Sequence, residues 1–196
     1  MSEIKVNKIS PATSTDITLG DSGDTFTVPS GATIVNSGTA TGFGGGKIGQ
    51  VLSTMIAGGV STTSNGTYVD VTGLSVAITP TATSSKVLIM VALTNGHTNT
   101  ANKSHFRIHG GNTDTYLGTD LGSGEQSAVT NECRRSLYDQ KSIAMTYLDS
   151  PATTSATTYQ VQWQTDGGTA WVGRSSTDNT ETGYAASTIT VMEVLA

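Results

Sequence analysis

The chain reads as an all-β protein: a β-sandwich of jelly-roll type preceded by a short β-rich stem built for oligomers. Three observations lead there. Hydrophobic residues make up 35% of the 196 residues and charged residues only 13%, well below the roughly 45–50% and about 25% of an average globular chain. Thr, Ser, Gly and Asn fill the difference, and a chain this poor in charge does not match the highly charged composition of disordered proteins. Thr is β-branched and fits a pleated surface. Short apolar runs recur between turn residues, and no window carries convincing helical periodicity.

The elements follow in order. Residues 1–41 carry apolar pulses, Ile4/Val6/Ile9, Ile17/Leu19, Phe26/Val28 and Ile34/Val35, separated by polar turns. Asp21-Ser-Gly-Asp24 and Pro29-Ser-Gly31 read as tight turns in which Gly supplies positive φ. Strands of two or three residues bury no core alone, so this segment is expected to order by joining sister chains in a stem. Residues 42–46, Gly-Phe-Gly-Gly-Gly, read as a hinge. Lys47 completes a glycine run superficially like a phosphate loop, but the full spacing of that motif and its following helix are missing.

Residues 47–196 read as one β domain. Val51–Ile56 opens it, then a turn at Gly58-Gly59, an alternating Thr67–Val71, and Ser75–Thr79 ended by Pro80. Lys86-Val-Leu-Ile-Met-Val-Ala-Leu93 is apolar on both faces, the mark of a central strand covered on both sides. His105–His109 alternates. Ser142–Leu148 follows, then Thr158–Thr165 with Tyr159, Val161 and Trp163 opposite three glutamines. Ala170–Gly173 is short and Ser187–Leu195 closes the chain. Ser127–Leu137 stays open between helix and strand.

Charge and motifs narrow the function classes. The net charge is −5 and the only basic cluster is Arg134-Arg135, so the basic stripe needed to neutralise nucleic-acid phosphates is missing. A lone Cys133 excludes an intrachain disulfide and a zinc pair. The flanking arginines would lower its pKa, but a buried or incidental thiol is the simpler reading. No run reaches the ~20 apolar residues of a membrane helix, and Met1–Lys5 opens no secretory signal. The chain is therefore expected to mature in a reducing cytoplasm without membrane insertion.

No catalytic set stands out: no Ser lies in a GxSxG elbow and no paired carboxylates suit glycoside hydrolysis. His105 and His109 share a strand face with Arg107, a row that three-fold symmetry would turn into a metal site, though a solvated face is the expected reading. Asp114, Asp120 and Glu125 miss the spacing of a calcium loop. No catalytic residue, cofactor or metal ligand is assigned. The one candidate contact surface is for a glycan or receptor, made by Trp171 with Arg174, Asp178-Asn179 and Tyr184, an aromatic platform with polar neighbours. Trp171 also suits a core or subunit interface.

The blocks in order carry a family resemblance. Thr62-Thr-Ser-Asn-Gly-Thr-Tyr-Val-Asp-Val-Thr-Gly-Leu-Ser-Val-Ala-Ile-Thr-Pro80 resembles the block that opens C-terminal domains of marine bacteriophage virion and tail-fibre proteins. Ser84–Val91, Leu148–Val161 and Ser187–Glu193 continue the likeness, and Leu19–Ile34, running into Asn36–Gly44, resembles a segment common upstream in the same proteins. The resemblance implies a virion component, tail fibre, spike or capsid decoration, acting as a homotrimer with other phage virion proteins and a host surface, with residues 1–41 for attachment. Residues 94–141 match least and, with 173–185, are where receptor contact is expected.

Overall fold

The computed structural model describes residues 9–11, 20–25, 27–33, 35, 48–98, 101–111, 115–117, 131–134, 140–175 and 183–195. The chain divides into two compact units, Met1–Phe43 and Gly44–Ala196. In the first, the described residues form two tight turns. Asp24 N–H donates to the Asp21 carbonyl (3.0 Å) and Ala32 N–H to that of Pro29 (3.1 Å). Gly23 and Gly31 hold the third position of these turns at φ 99° and 87°, which only glycine takes without strain. The expected strand pulses at Ile4/Val6, Ile17/Leu19, Phe26 and Ile34, like the hinge at 42–46, lie outside the described residues.

The second unit holds eleven described strands: β1 Ile48–Ile56, β2 Val60–Thr62, β3 Val69–Ile78, β4 Lys86–His97, β5 Lys103–Gly110, β6 Thr115–Tyr116, β7 Asn131–Arg134, β8 Lys141–Asp149, β9 Thr157–Thr165, β10 Ala170–Val172 and β11 Ser187–Val194. Antiparallel pairs nest inside one another: β5 with β7, β4 with β8, β3 with β9, β1 with β11. That is one long two-stranded ribbon closed at its tip. The ribbon is then wound so that β4 lies beside β11 and β5 beside β9. Two sheets result, ordered β1-β11-β4-β8 and β3-β9-β5-β7, with β2 and β10 extending the first and β6 the second. This winding defines a jelly roll.

Alternation along each strand builds the core. Val87, Ile89, Val91 and Leu93 of β4, with Ile189, Val191, Ile143 and Met145, face Leu74, Val76, Ile78, Phe106, Ile108, Tyr159, Val161 and Trp163 across the sandwich. Phe106 and Trp163 stack as tilted rings with centroids 6.0 Å apart.

Three sequence readings change. The two strands expected around Gly73 are one, β3, because Gly73 takes φ 86° and the ladder to β9 shifts between Asp70 and Ser75, a bulge that bends rather than ends the strand. The open stretch 127–137 contains the strand β7. Most important, β4 is central in its sheet, but the described residues cover it on one face only; Leu88, Met90 and Ala92 point away from the core.

Each end of the sandwich is closed by polar groups. At one, the buried Glu193 carboxylate accepts from Thr81 N–H (2.6 Å), the Thr81 hydroxyl (2.7 Å) and Gln50 Nε2 (2.9 Å), tying β11 to β1 and to the β3–β4 connection. Burial alone would raise its pKa, but the hydrogen bonds from Thr81 and Gln50 outweigh it and lower the value to about 2. At the other end, the buried His97 and Thr165 meet between the sheets.

Candidate functional site

The residues singled out in sequence divide. Trp171 sits in β10, opposite Gly96 of β4 and Ser61 of β2. After β10, Gly173 at φ 85° turns the chain back; a side chain there would strike the Gly58 carbonyl oxygen at 2.6 Å. The turn lays the Arg174 guanidinium on the Trp171 ring, 3.9 Å from its centroid. A side chain at Gly59 would overlap the Arg174 stem and touch Tyr184, so both pack over that glycine. Trp171, Arg174 and Tyr184 therefore converge; Asp178 and Asn179 lie outside the described residues. The protein's own cation occupies a face of the indole, which leaves Tyr184, 52% exposed, as the open ring of the group.

The outer face of the β3-β9-β5 sheet carries the histidine row. Asp70 Oδ1 accepts from Gln162 Nε2 (2.8 Å) and from Gln160, and Arg107 Nε donates to Gln162 Oε1 (2.9 Å) while its guanidinium lies 3.9 Å from the Tyr68 ring centroid. The result is a chain of side chains that bond one another. His105 and His109 flank Arg107 on this face, and among the described residues no group of three or more His, Cys, Asp or Glu could hold a metal ion. Asp114, Asp120 and Glu125 lie outside the described residues, as does the side chain of Cys133.

The outer face of the β1-β11-β4-β8 sheet is different. The registers set three rows across four strands: Val51–Met192–Leu88–Leu148, Ser53–Thr190–Met90–Thr146, and Met55–Thr188–Ala92–Ala144. None of these twelve side chains is charged. Val51 (54%), Met55 (60%), Met90 (43%) and Leu148 (47%) are well exposed, and the small residues between them, Ala92, Ala144, Thr146, Thr188 and Thr190, floor a shallow groove flanked by Met90 and Met192. The solvent face of an antiparallel sheet is ordinarily polar and charged, whereas here eight apolar side chains and four hydroxyls stand together without charge, and exposed apolar patches are a common mark of interaction surfaces. The sequence held the signal, an apolar run on both faces of β4, but not which body covers the second face.

No protein-family model and no curated protein matches this chain. Among solved structures, it is similar to the Gt strain of infectious bursal disease virus at 13% identity and TM-score 0.39, covering 75% of this chain and 38% of that one. The VP2 subviral particle of the same virus gives 12%, 0.37, 75% and 38%. The chain thus corresponds to well under half the length of those proteins.

Proposed function

We propose that this chain is a non-enzymatic structural component of a bacteriophage particle, a short tail fibre, spike or capsid-decorating protein that works by self-assembly. The observation that carries the reading is the outer face of the β1-β11-β4-β8 sheet, where twelve adjoining side chains carry no charge and Lys86 stands only at the end of β4. A jelly roll is an architecture of capsid and lectin domains, though fold alone is an analogy. The resemblance of the Thr62–Pro80 block and its successors to phage virion proteins gives the same direction, with the homotrimer and a role in host attachment as its finer form. The test is location. Quantitative mass spectrometry of purified particles from lysing cells that make this protein is expected to find it at many copies per particle. Abundance in the soluble lysate with none on particles overturns the reading.

A carbohydrate-binding adhesin is the second reading, favoured by the convergence of Trp171, Arg174 and Tyr184. It requires glycan retention that Trp171→Ala abolishes.

A further inference from the structure

Among the described residues the two sheets have several edges, and all but one carry a device against pairing. The ladder of β1 shifts between Ile48 and Val51 and that of β3 between Asp70 and Ser75; such bulges twist an edge away from a neighbour. β2, β6 and β7 have three, two and four residues. β8 differs. It runs nine residues, Lys-Ser-Ile-Ala-Met-Thr-Tyr-Leu-Asp, in unbroken register with β4. It has no proline, no bulge and no charge inside its ends, and among the described residues no strand pairs with its outer edge. A long, flat, uncharged edge is a template for another strand.

We propose that β8 pairs antiparallel with β8 of a second copy about a two-fold axis at Met145, a contact that deepens the self-assembly reading and rests on it. The charges select this occupant. In that register Lys141 lies opposite Asp149 of the second copy, and Asp149 opposite its Lys141; each Asp149 also accepts from the Tyr159 hydroxyl of its own chain (2.6 Å), so opposite charges are brought near one another at both ends of the shared ladder. The other long edge of the same sheet, β1, has no charged residue to meet either of them. Ala144 falls opposite Thr146 of the second copy and Ser142 opposite its Leu148. The patch of uncharged side chains thereby continues across the axis, from four strands to eight. Two copies of a chain of net charge −5 repel at long range, and an edge with complementary ends lets them meet without placing like charges face to face. A nine-residue pairing spans about 30 Å.

The experiment uses the full chain and variants at two positions exposed on β8, Ala144 and Thr146. Wild type is expected to show a native mass of an even number of chains by light scattering, two from this contact alone or six where trimers also pair through it, and a mass of three chains overturns the two-fold contact. Thr146→Lys places two like charges beside the axis while leaving the monomer fold intact, and is expected to weaken association about tenfold or more. Ala144→Cys with Thr146→Cys is expected to give an interchain disulfide on mild oxidation that neither single variant nor wild type forms. An oligomer unchanged by Thr146→Lys, with no such cross-link, overturns the pairing and leaves self-assembly to another surface. A wild-type monomer also overturns it, while the particle measurement above still decides the role.

Discussion

His97 Nε2 and Thr165 Oγ1 lie 2.8 Å apart, joining β4 of one sheet to β9 of the other inside the sandwich. Thr165 donates its hydroxyl proton to the Gly167 carbonyl (2.7 Å), so its oxygen accepts, and His97 carries the proton on Nε2. The same oxygen accepts from Gly167 N–H at 3.2 Å. Thr165→Val removes this acceptor and strands two donors. It is expected to lower unfolding stability by about 2 kcal/mol, whereas Thr165→Ser retains most of it; urea denaturation of the two variants measures the difference.

Acid is expected to loosen the opposite end first. Glu193 titrates at about 2 in the folded chain against 4.5 for an unperturbed glutamate. A lowered folded pKa means that the stabilisation is complete above pH 4.5 and is lost as pH falls from there toward 2. Its partners Thr81 and Gln50 border solvent although Glu193 itself is buried, so the size of the effect is about 2 kcal/mol after screening. Melting temperature against pH should fall across that window in wild type, and Glu193→Gln should be less stable at pH 7 with a flatter acid limb.

Gly96 controls the Trp171–Arg174 stack. A methyl group there would lie 2.5 Å from the Arg174 carbonyl oxygen and 2.7 Å from Ser175 Cα, backbone atoms that yield only if the segment shifts. Gly96→Ala should cost about 2 kcal/mol. It should also shift tryptophan emission, because Trp163 is buried and only Trp171 changes surroundings. Arg174→Ala should produce a similar emission change at a cost of about 1 kcal/mol.

Truncation separates the two sources of assembly. Among the described residues the buried core runs from Val71 to Val191, so a chain beginning at Lys47 is expected to keep the sandwich and its cooperative unfolding. If β8 makes the contact, the truncated chain keeps the two-chain mass. If the stem of residues 1–41 makes it, truncation gives a monomer and Thr146→Lys has no effect on full-length association.

Much of the fold was legible in sequence. The turns at Asp21–Asp24 and Pro29–Ala32 were legible because glycine at a fixed offset dictates turn geometry locally. The faces of β9 were legible because Tyr159, Val161 and Trp163 alternate with glutamines, and a period of two permits one inner face. β2 and β6 were not, since two or three residues without a strong apolar pattern become strand only where a neighbour offers a ladder. β3 was read as two strands because a bulge at glycine has the local chemistry of a turn.

The candidate site followed the same division. Residue type alone marks Trp171, Arg174 and Tyr184, but the cation lying on the indole is decided by the Gly173 turn and the space at Gly59. What the sequence determined by itself was alternation, turn chemistry and lack of charge, properties carried by neighbours along the chain. Only the tertiary structure decided which second face of β4 stays open, which edge lacks a bulge, and that Lys141 and Asp149 stand at the two ends of that edge. Those depend on strand pairs far apart in sequence, and short-range patterns carry no record of register.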